Sequence, residues 1–223
     1  MKIMPAILTD SVSELHAQLT SLTPYFRSFQ IDLVDGVYLP HRTVGIEEAV
    51  EMIGQEPATG KNSGVVFDFD LMVKDYQHVI AVLESVTDRI SIGHVFIHYG
   101  SIAGAPIPSS KYFSIGLAIA PQDQIDELGH AYNLNEIPCM QIMSVFPGSQ
   151  GSPFIPDTLI KIEQLRKYGY GPNIFLDGGV NNNTLPVVLR QQYRPDVVCV
   201  GSYLSHADDI PARVAELQAI EKK

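Results

Sequence analysis

Short β-rich runs and amphipathic segments alternate along this chain without a break, and that alternation restricts the fold more than any other feature. Runs at 3–8, 28–34, 64–71, 91–98, 113–119, 138–145, 173–177 and 196–200 predict eight strands. Helical patterns at 11–22, 45–55, 75–86, 122–130, 156–168, 182–191 and 207–221 fall between them. Only 99–112 (YGSIAGAPIPSSKY) breaks the rule, because its Gly, Pro and Ser leave little room for a helix. Strand-then-helix order demands parallel pairing with crossover helices. Eight such units in 223 residues predict a compact (β/α)8 barrel of the TIM type, occupying 1–223 as a single domain. A doubly wound open sheet is the alternative.

Strands have a side-chain period of two, so in "FQIDLVDG" (29–36) Gln30 and Asp32 share one face and Phe29, Ile31 and Leu33 the other. A buried carboxylate pairs, binds a cation or shifts its pKa. Asp68 and Asp70 likewise share a face of the third strand, and Asp177 ends the seventh before Gly178 and Gly179. One strand-end Asp is more often a loop cap than a catalyst. Acids on three strands converging on one barrel mouth favour a site, since like charges packed together need a reason.

Glycine-containing loops follow the sixth, seventh and eighth strands: "SVFPGSQGSPFIP" (144–156), "DGGV" (177–180) and "VGSYL" (200–204). Loops after strands seven and eight are a recurrent phosphate-binding place in such barrels, and 144–156 reads as a lid that excludes water. A net charge of -10 argues against nucleic acid as a partner. Apolar runs far shorter than a bilayer span argue against a membrane, and a start that lacks a signal-peptide core makes the cytoplasm the expected location. Cys139 and Cys199 sit in apolar runs and read as buried free thiols.

Taken together and in order, these motifs resemble the ribulose-phosphate 3-epimerase family. "MPAILTDSVSEL" looks like its Ala-Pro-Ser-Ile-Leu opening, and "IDLVDGVYLPHRTVG" matches its Asp-x-Met-Asp-Gly-x-x-x-Pro-x-x-x-x-Gly loop. "FDLMV" stands where the family has His-Leu-Met-Val, "MSVFPGSQGSPFIP" resembles its lid, and "LDGGV" and "VGSYL" resemble its phosphate grip. The resemblance implies inversion of a carbinol carbon next to a ketone in a sugar phosphate. It also implies Asp32 and Asp177 as the acid–base pair, Gly148, Gly178, Gly179, Gly201 and Ser202 as phosphate binders, and Met72 and Met143 as pocket walls. It leaves room for a homo-oligomer.

Departures from the family pattern concentrate at the metal. Its two His ligands are replaced by Gln30 and Asp70, its substrate-contacting Ser by Ala6, and its His-x-Glu-Ala after the fourth strand by His98-Tyr99-Gly100-Ser101. A metal held by Gln30, Asp32, Asp70 and Asp177 would be oxygen-ligated, which favours Mg²⁺ or Mn²⁺ over Zn²⁺. The other expectation is no metal at all, with Gln30 only orienting a carboxylate. His98 is expected to touch substrate, whereas His41 and Arg42 read as surface residues of the second loop. A sugar-phosphate binder without turnover is the alternative function, and the retained pair Asp32 and Asp177 weighs against it. A Schiff-base aldolase would need a lysine inside the mouth, and only Lys74 lies just past a strand.

Overall fold

A computed structural model describes residues 1–147 and 151–221. Eight parallel strands close a barrel in sequence order: β1 Lys2–Ile7, β2 Ser28–Val34, β3 Val66–Met72, β4 Ile92–His98, β5 Ser114–Ile119, β6 Cys139–Met143, β7 Asn173–Asp177 and β8 Val197–Val200. The (β/α)8 expectation is borne out, and the open sheet is excluded by the pairing of β1 with β8. Helices follow the strands: α1 Val12–Leu22, α2 Ile46–Gln55, α3 Tyr76–Ser85, α4 Tyr99–Ile102, α5 Ile125–Ala131, α6 Ile160–Lys167, α7 Leu185–Leu189, α8 Ser202–Ser205 and α9 Ile210–Glu221.

Local chemistry starts these helices. Ser11 caps α1 by accepting the Glu14 N–H, and Asp75 caps α3 by accepting that of His78. Pro156 opens a 3-10 turn, Pro156–Leu159, that runs into α6. The stretch 99–112 needs correction: it opens with the helical turn α4 before Ala103 (φ 49°) and Gly104 (φ 79°) stop it in the left-handed region.

Alternation along the strands sorts the side chains into two layers. Phe29, Ile31 and Leu33 of β2 and Phe67, Phe69 and Leu71 of β3 pack outward under the helices. Met4, Ala6, Phe96, Ala118, Met143, Phe175 and Cys199 fill the barrel interior. Phe96 and Phe175 meet edge to face at 4.8 Å between ring centroids, with His94 4.9 Å from Phe175. They form the floor beneath the carboxylates. Among the described residues no helix is long and apolar enough to cross a membrane.

Candidate active site at the barrel mouth

Inward-facing polar residues of β2, β3, β4 and β7 converge above that floor. Parallel register sets Asp32 beside Asp70, and barrel closure brings Asp177 in from β7. One carboxylate oxygen from each of Asp32, Asp70 and Asp177 lies within 4.8 Å of the other two. The Gln30 Nε2 group donates to Asp32 Oδ1 and to Asp177 Oδ2, both at 2.9 Å. On its other side Gln30 Oε1 accepts from the Cys199 thiol at 3.2 Å. Gln30 is fully buried, so its amide forms a neutral bridge between two acids.

Burial is the main cause that holds both acids above the usual carboxylate range. Asp177 is pushed up to about 7, first by desolvation and then by the Asp70 charge, while Gln30 acts in the opposite sense. Asp32 is raised well above its ordinary value by burial, then by Asp177 and Asp70. A pair arranged in this way carries a proton near neutral pH.

Asp70 is engaged differently. Its Oδ1 pairs with His98 Nε2 at 3.0 Å, with both side chains almost wholly buried, and its Oδ2 has no hydrogen-bond partner among the described residues. An orphaned carboxylate oxygen beside two further acids makes an all-oxygen cluster that fits a divalent cation. Gln30 would join that set only with its amide turned, because here nitrogen and not oxygen faces the acids.

Above the acids opens a cavity of about 480 Å³, bordered by Asp32 and Asp177 at its base. Ala6, Met72 and Met143 border it, as do Gly178, Gly179, Gly201 and Ser202. Gly178 and Gly179 have φ of 107° and 64°, and a Cβ on Gly178 would meet Val145 at 2.5 Å. Only glycine fits that turn. The expected phosphate residue Gly148 lies outside the described residues.

Some expected members of the site sit elsewhere. His98, expected to touch substrate, does not border the cavity, since it is 1% exposed and its Nε2 is spent on Asp70. Asp68 is lower in the barrel, where its carboxylate accepts from the His94 backbone N–H and pairs with the His94 ring. Arg42 donates to the Asp35 carbonyl.

Other residues escape a reading of the sequence. Cys199 looks like core, and only the closure of β8 on β1 carries it to Gln30. Ser144 donates to the Asp177 and Gly178 carbonyls at 2.9 and 2.6 Å and so fixes the turn after β7. Tyr38 packs its ring 5.8 Å from that of His98. Its place after the Asp-Gly of the second loop is the one available signal.

Residues 2–204 match the model of the ribulose-phosphate 3 epimerase family. A ribulose-phosphate 3-epimerase of Methanocaldococcus jannaschii is 26% identical, with 85% of this chain and 77% of that protein covered. The Bacillus subtilis enzyme of the same name is 22% identical over 98% of both chains. Among solved structures, 3-hexulose-6-phosphate synthase from Salmonella typhimurium superimposes with a TM-score of 0.65 at 18% identity, covering 99% of this chain and 98% of that one. Phosphoribosyl anthranilate isomerase from Thermococcus kodakaraensis does so with a TM-score of 0.60 at 12% identity over 100% of both. At those identities the two structures speak for the fold alone.

Proposed function

The chain belongs to the ribulose-phosphate 3-epimerase family, and on that premise we propose that it inverts the carbinol carbon next to the ketone of a ketose phosphate. Ribulose 5-phosphate or a related pentulose or hexulose phosphate is the substrate class, with Asp32 and Asp177 as the acid–base pair. The observation that carries this reading is the shared Gln30 amide, 2.9 Å from each acid at the base of the cavity.

Two-base inversion needs one ionised carboxylate and one protonated carboxylate on opposite faces of the same carbon. With no cation between them, raised proton affinity at Asp32 and Asp177 supplies that combination near neutral pH. The ionised member takes the carbon-bound proton and leaves an enediolate. The protonated member then delivers a proton to the other face. Gln30 fixes one oxygen of each acid, so neither carboxylate has to reorient during the step.

Asp32, Asp70 and Asp177 would hold a divalent cation, with Mg²⁺ or Mn²⁺ favoured over Zn²⁺ by the oxygen donors. When bound, such a cation supplies positive charge against the enediolate. Gly178, Gly179, Gly201 and Ser202 border the cavity on the β7 and β8 side and receive the phosphate. Two buried free thiols, Cys139 and Cys199, suit a cytoplasmic setting.

A binder that only holds phosphate has no use for two acids bridged by one amide, which is why turnover is preferred over binding alone. Deuterium incorporation from D₂O at the carbinol carbon tests the proposal. Wild type should exchange that single position, and Asp177→Asn should lower exchange by about 10²-fold or more. Equal exchange rates in the two proteins would remove Asp177 from the reaction.

A further inference from the structure

The cavity is polar at one end and apolar at the other. Apart from Asp32 and Asp177, every polar side chain that borders it among the described residues comes from the segments after β6, β7 and β8. Several of these are already committed to the protein. Asn181 Oδ1 accepts the Asn183 and Thr184 N–H groups, Thr184 Oγ1 donates to the Gly179 carbonyl, and Tyr203 donates to Glu216. On the β1 and β3 side, and where β6 ends, the wall is Ala6, Leu8, Met72 and Met143. Among the described residues that wall carries no polar side chain. Behind it Asp70 and His98 are closed off, with exposures of 0% and 1%.

A phosphate seated at the β7–β8 end and a carbinol carbon between the two acids send the far end of the ketose toward this wall. A hydroxyl pressed there loses water and gains no side-chain partner among the described residues, which penalises it. A methyl group loses nothing and fills apolar space. Resting on the epimerase reading, we infer that the preferred substrates are 1-deoxyketose phosphates, whose ketone carries a methyl in place of a hydroxymethyl group. The reaction stays balanced. One proton leaves the carbinol carbon for a carboxylate, the other carboxylate returns one, and solvent resets both acids.

The test compares 1-deoxy-D-xylulose 5-phosphate with D-xylulose 5-phosphate, which differ only at the first carbon. An apolar wall discriminates against an added hydroxyl by up to about 100-fold. The methyl ketone should therefore exchange its carbinol proton in D₂O with a kcat/KM about 10- to 100-fold higher, and calorimetry should give it the lower Kd. Ala6→Ser, which adds a hydroxyl to the wall, should narrow both gaps. Exchange that favours D-xylulose 5-phosphate, or exchange of both compounds with equal Kd values, overturns the inference and leaves the epimerase reading intact. No exchange with either compound, together with tighter binding of the methyl ketone, overturns the epimerase reading while the apolar wall stands.

Discussion

Gln30 is the residue on which this site turns. Its amide donates to Asp32 and Asp177, and its carbonyl is held by Cys199. Those donations lower the proton affinity of both acids against the rise that burial imposes. Gln30→Leu removes them, so the pH profile of exchange should move upward, as measured by kcat/KM across pH. An unmoved profile would show that the bridge does not act on the acids. Asp177 adds a stability signature of its own. Its folded pKa of about 7 lies above the ordinary 3.8, so between those values the folded state binds more protons than the unfolded one. Stability from this group is present below about pH 4 and is lost as pH rises toward 7. With EDTA present, the Tm of wild type should fall over that window, and that of Asp177→Asn should fall less. Parallel Tm curves for the two proteins would contradict the raised pKa.

Elements hold the loops that surround these residues. Lys161 of α6 is 5% exposed and donates through Nζ to the Ala120, Pro121 and Asp123 carbonyls, which tie down the segment after β5. Lys161→Met strands those acceptors and should cost about 2–3 kcal/mol in urea unfolding. Amide exchange should speed up at 120–124, and an unchanged rate there would deny the tie. The strands and longer helices were legible because each shows a clear period over several residues. The helical turns α4 and α8 were not legible, since four residues are too few to develop a periodic face. The strand-end acids could be found from alternation alone. Their partners could not: His98 meets Asp70 across neighbouring strands, and Cys199 meets Gln30 only through β1–β8 closure.

At the scale of the molecule, closure of the barrel makes one interior serve both stability and chemistry. Phe96, Phe175 and His94 plug the lumen below the acids. Phe175 shares a strand face with Asp177 two residues later, so the plug also sets the height of the carboxylate. Phe175→Ala should cost about 3–5 kcal/mol by urea unfolding, and a cost near zero would mean that the plug is not part of the core. On the proposed function, this closed barrel aims two bridged carboxylates at a single carbon. The decisive experiment is deuterium exchange from D₂O, followed by NMR on D-xylulose 5-phosphate and its 1-deoxy analogue with Mg²⁺, with Mn²⁺ and with EDTA. Deuterium should appear at the carbon next to the ketone together with the epimeric product, and both should be lost in Asp32→Asn and Asp177→Asn. Absence of carbon-bound exchange under all three conditions would contradict the proposed function.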